Sequence, residues 1–143
     1  MADEGMDWHL QKGVASILQG DSDFMALISN KLYQDVPDQP VEPYVVLGDS
    51  QDSDDSVQCL DASEIFFDVH VWSKEPGYKQ VKTIAARVRK LLHNATVPMD
   101  EERCVLIQHR ITRTFSDQDI ILKHSVVTFH ALTEITSYLQ EGD

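Results

Sequence analysis

VHVWSKEPGYKQVKTIAARVRKLL, residues 69–92, starts as a strand and ends as a helix. The residues leading into it complete the strand. Ile65, Phe67, Val69 and Val71 fall on one side, and Phe66, Asp68, His70 and Trp72 on the other. This period of two is that of a half-buried strand. Pro76-Gly77 ends the pairing. Beyond it Val81, Ile84, Ala85, Val88, Leu91 and Leu92 recur at i, i+3, i+4, i+7, i+10 and i+11, so the spacing predicts an amphipathic helix over Gly77–His93. Lys79, Lys82, Arg87, Arg89 and Lys90 occupy the rest of its surface. A strand with one apolar side followed by such a helix implies a sheet with a helix laid on its face. That is scaffold, without reactive chemistry.

Upstream, Asp7 is placed to cap a first helix that buries Leu10, Val14, Ile17 and Leu18 and stops at Gly20. Asp21-Ser22-Asp23 offers a second cap, for a short helix burying Phe24, Leu27 and Ile28. The prolines at 37 and 40 mark an extended connector. Pro43 precedes a strand, Tyr44–Leu47, closed by Gly48. The run from Asp49 to Ser56 has no apolar side chain, so a flexible acidic loop is expected over 49–62, linking two antiparallel strands. After the helix, Cys104–Arg113 and Ile120–Leu132 read as a long hairpin turning at Ser116–Asp119. The second strand is apolar enough for a central position. The expectation is a single α+β domain over residues 1–143, with a mixed, mainly antiparallel sheet and amphipathic helices packed on it. Its core spans about 7–134, and its tail frays over 137–143.

Charge divides the chain. Residues 1–68 hold fifteen Asp and Glu against Lys12 and Lys31, a balance of −13. Residues 69–143 hold nine acids against ten Lys and Arg, a balance of +1. An acidic total of −12 argues against DNA binding by counterion release. Two cysteines make no disulfide framework, and no apolar leader or bilayer-length run is evident, so an intracellular chain with no membrane contact is expected.

Searches for chemistry return little. An EF-hand loop starting at Asp52 would need Gly at Val57 and Glu at Ser63. His124 and His130 share strand parity, and His70 and His109 lie in other strands, so some could converge, yet HExxH and finger spacings are missing. There is no GxSxG and no Gly-rich phosphate loop. Neither an enzyme nor a cofactor or metal site is expected. Trp72, at a strand end beside a helix start, reads as a fold anchor, with a ligand platform as the rival reading.

The succession Asp35-Val-Pro37, Pro43-Tyr-Val-Val-Leu-Gly-Asp-Ser50, Val69-His-Val-Trp-Ser73, Pro76-Gly77 and Phe129-His-Ala-Leu-Thr133 resembles the tail-completion, or tail-terminator-like, proteins of long-tailed bacteriophages and prophages. The resemblance runs from about Leu10 to Thr133. It implies a small α+β structural protein at the head-proximal end of the tail. There it would halt tube polymerisation and join the tube to the head connector, as a homo-oligomeric ring such as a hexamer. It further implies assembly in the bacterial host cytoplasm, incorporation into the virion tail, and tail tube and head connector proteins as partners. A closed ring needs two unlike patches on each subunit. Asp49, Asp52, Asp54 and Asp55 are candidates for one, and Arg87, Arg89, Arg110 and Arg113 for the other. An acidic lumen would let DNA pass. The alternative function is an acidic host-interaction or DNA-mimic protein without catalysis.

Overall fold

Strand alternation and helix stripe meet on one surface. In the computed structural model, which describes residues 5–54, 63–98, 103–116 and 121–135, the elements are α1 (Met6–Gln19), α2 (Ser22–Leu27), β1 (Leu32–Tyr33), β2 (Tyr44–Asp54), β3 (Ser63–Ser73), α3 (Lys79–Leu92), β4 (Thr96–Pro98), β5 (Arg103–Ser116) and β6 (Lys123–Ile135). The six strands form one sheet in the order β1-β2-β3-β6-β5-β4. All pairings are antiparallel except β1 with β2, so the mixed, mainly antiparallel α+β architecture holds.

Ile65, Phe67, Val69 and Val71 of β3 are all buried, with Val127, Phe129 and Ala131 of β6 and Val105 and Ile107 of β5 beside them. Val81, Ile84, Ala85, Val88 and Leu92 of α3 close over this face. Burying each such side chain contributes roughly 1.5–3 kcal/mol before entropy is counted, so this face carries most of the hydrophobic stabilisation. β6 sits between β3 and β5, in the central position its composition called for. α1 adds Leu10, Val14 and Leu18 to the same core. It touches β2 near one edge of the sheet and β4 at the other. A sheet six strands wide can do this only by curling around its helices.

Several elements depart from their expected limits. α1 starts two residues earlier than an Asp7 cap would allow, with Gly5 at its N-cap, and Asp7 lies in the first turn. There its carboxylate accepts a bond from the Ser50 hydroxyl at 2.6 Å, tying helix to strand. Asp21 does cap α2, accepting from the Phe24 amide at 2.7 Å. Leu27, expected inside, is 38% exposed, because in a helix of one and a half turns only Phe24 and the following Ile28 reach the core. α3 is shorter than Gly77–His93, since Tyr78 is the N-cap and His93 is already extended.

The largest correction concerns the acidic run. Gly48 does not close β2, and the loop expected from residue 49 is strand as far as Asp54, pairing with β3 from Asp68 back to Ser63. A ladder is held by backbone groups, so polar side chains need not prevent it when the facing strand is anchored. β3 is anchored by Ile65 and Phe67. A register shift between Val46 and Asp49 accommodates the change, with Gly48 at φ 129°. The rest of that loop (55–62), the hairpin turn (117–120) and the tail from residue 136 lie outside the described residues.

Candidate functional site

The sheet face opposite the helices carries the polar and aromatic half of each strand. Register places Phe66, Asp68, His70 and Trp72 of β3 against His130, Thr128, Val126 and His124 of β6. His70 Nε2 lies 2.8 Å from Asp49 Oδ2, and His70 Nδ1 lies 3.0 Å from His124 Nε2. A carboxylate only accepts, so Nε2 of a neutral His70 carries the proton and Nδ1 accepts from His124. The imidazole of His124 stacks on Trp72 with centroids 3.7 Å apart, and Phe115 meets it edge-on at 5.0 Å. Tyr44 continues the stack at 6.3 Å from Trp72. Phe66 stacks on His130 at 4.6 Å, further along the face.

Trp72 lies outside the helix-covered core, half-buried on the helix-free face between the rings of Tyr44 and His124. The histidines separate. His70 and His124 meet, and His130 shares their face nearer Glu64, 3.6 Å away. His109 turns to the helix side, where it bonds Thr112 Oγ1 at 2.7 Å and packs edge-on against Phe129. Burial there, with Arg89 and His93 nearby, holds its imidazole below the usual pKa. Among the described residues no three His, Cys, Asp or Glu are grouped to hold a metal ion.

The charged candidates divide between places. Asp49 is engaged with His70, and Asp52 lies exposed in β2 opposite Ile65. Asp54 ends the described part of β2, and Asp55 lies outside the described residues. Arg87 is occupied within the chain. Its guanidinium donates to Asp21 at 2.7 Å with Asp23 at 3.8 Å, joining α3 to the cap of α2. That bond, with the Phe24 amide, holds the Asp21 carboxyl below its ordinary pKa. Arg87 is thus a brace between helices rather than a free opposing charge.

Arg89 is exposed on α3 beside an open groove between α3 and β5, lined also by Lys82, Ala85, Ala86, Thr112 and Thr114. Arg110 sits where the β5 register shifts, between His109 and Ile111, and Arg113 lies 5.9 Å from the Phe115 ring. The acids of β2 and the arginines of β5 thus lie on strands toward opposite edges of the sheet. Sequence reasoning missed Asp21 as the partner of Arg87. Its N-cap position was visible, whereas the contact across 66 residues was not.

These features define an α+β fold, a curled sheet braced by helices, with acids on β2 and arginines on β5 toward opposite edges. The same fold occurs in a chain of the solved structure described as "Virion of native gene transfer agent (GTA) particle", with a TM-score of 0.83 and 23% identity over 92% of this chain and 99% of that one. It occurs again in "Structure of bacteriophage SPP1 gp17 protein", with a TM-score of 0.60 and 21% identity over 87% and 88% of the two chains. The model of the family "Tail completion protein gp17" matches residues 12–134, and the chain belongs to that family. No curated protein matches it. Membership bears out the resemblance read from the sequence and makes this a phage tail structural protein.

Proposed function

We propose that the protein completes the tail tube at its head-proximal end, stopping tube growth and presenting a surface to the head connector. It does so as a ring of identical copies. The observation that carries the ring is the separation of Asp49 and Asp52 on β2 from Arg110 and Arg113 on β5, toward opposite edges of one sheet. Head-to-tail closure requires two unlike patches, and opposite charge steers and selects such contacts. Family membership over residues 12–134 supports the tail as its place of action. Its partners are then the tail tube protein and the head connector protein. It assembles in the host cytoplasm and remains in the virion. Such a role uses shape and charge, and no reactive centre.

The test is particle production without this protein. Tubes should grow past their normal length and fail to join filled heads, and supplying the protein in trans should restore both. Normal virions in its absence would contradict the proposal.

A further inference from the structure

Two of the long strands keep an edge that no described strand covers. β1 pairs with β2 only at Val45 and Val46, and β4 pairs with β5 only at Cys104, Val105 and Leu106. Among the described residues, β2 from Gly48 to Ser53 and β5 from Arg110 to Ser116 therefore face no strand on their outer sides. Such an edge presents backbone N–H and C=O groups that form a template for another strand. Resting on the ring reading above, we propose that these two edges are partners in neighbouring copies. The β5 edge of one subunit adds to the β2 edge of the next, so that the sheet continues from copy to copy.

Direction fits first. β2, β3, β6 and β5 are each antiparallel to the next, so β5 runs opposite to β2. Copies related by rotation about an axis along the strands keep their strand sense. A β5 placed beside the neighbour's β2 then continues the antiparallel alternation without a break. Length fits as well, because the two open edges are of similar extent. They lie toward opposite ends of the sheet, since β1 and β4 each cover the first residues of oppositely directed strands. Joining them takes a register stagger, which a closed sheet of tilted strands has in any case.

Charge then selects the register. Asp49 and Asp52 have the same spacing as Arg110 and Arg113, so an antiparallel ladder can set Asp49 against Arg113 and Asp52 against Arg110. Side-chain faces agree. Asp49 and Gln51 share the helix-free face with Asp68 and Phe66, and Arg113 and Ile111 share it with Val126 and Thr128. Ser50 and Thr112, opposite each other in this register, both belong to the helix-covered face with Phe67 and Val127. Asp52 enters on that side too, toward the groove that holds Lys82 and Arg89. Ile111, 51% exposed in the single copy, gains a neighbour.

The register is tested by cross-linking on full-length protein assembled at tail ends, in a background with Cys59→Ala and Cys104→Ala. Gln51→Cys combined with Ile111→Cys, both at exposed positions, should give a ladder of disulfide-linked copies on oxidation. Either cysteine alone should give none, and Ser50→Cys with Ile111→Cys, which point to opposite faces, should stay unlinked. In unmodified protein, amide exchange across 48–53 and 110–116 should slow on assembly. Rings visible by electron microscopy without either effect would overturn the edge pairing and leave the ring standing. Tail ends closed by this protein without a ring would overturn both.

Discussion

Phe129 and Trp72 lie on opposite faces of the sheet, and substituting each separates what those faces contribute. Phe129 is 0% exposed, stacked on Phe67 at 5.2 Å beneath the helices. Its replacement by Ala should cost about 3–5 kcal/mol, the range for emptying a closed core site. Trp72 is half-buried and loses only part of its contact area, so Trp72→Ala should cost about 2 kcal/mol by the same scale. Urea unfolding of the two variants checks the order, and an equal loss at both sites would contradict it. Gly13 is a case of close approach. A Cβ there would lie 2.3 Å from Val97 Cγ1 and 3.2 Å from Val97 Cβ, so rotating the valine cannot clear it. The helix-propensity gain of Gly13→Ala, about 1 kcal/mol, is set against an overpacking cost of about 1–3 kcal/mol. A net loss of stability is expected, and a rise in melting temperature would show that β4 can move away. Period-two alternation had already sorted β3 into its two faces. It could not show that His124 would lie over Trp72, since strand register depends on pairing across more than fifty residues.

At the scale of elements, helices and strands were legible where apolar residues recur, in α1, α3, β3 and β6. The reading failed where backbone pairing outweighs side-chain chemistry. Asp49 to Asp54 carry no apolar side chain, yet they form strand because β3 is held in place by its buried face. The bulges near Gly48 and Arg110 were equally hidden, since each depends on the partner strand's register. Of the eight interface candidates, Arg87 changed meaning most. It braces α3 against α2, and that brace has a pH signature. The folded-state pKa of Asp21 is lowered, chiefly by Arg87, so the bond's contribution is fully present above the unfolded carboxylate value near 3.9. It is lost as pH falls through the folded value. Asp21→Asn should therefore lower the melting temperature at pH 7, with the gap to the unsubstituted protein closing as pH drops below about 4. A gap that stayed constant down to pH 2.5 would remove Arg87 from the account.

For the whole molecule, the sequence showed the charge imbalance but not its arrangement. A balance of −13 against +1 says nothing of which residues share an edge. The sheet order does that, placing β2 and β5 on either side of β3 and β6. One sheet with an acidic strand toward one side and arginines toward the other suits repetition in a ring. The central claim is that such a ring ends the tube. It is tested most directly by adding purified, labelled protein to tail tube protein during polymerisation in vitro. Elongation should stop, with label at a single end of each tube. Tubes that keep lengthening, or that carry label along their whole length, would contradict the account.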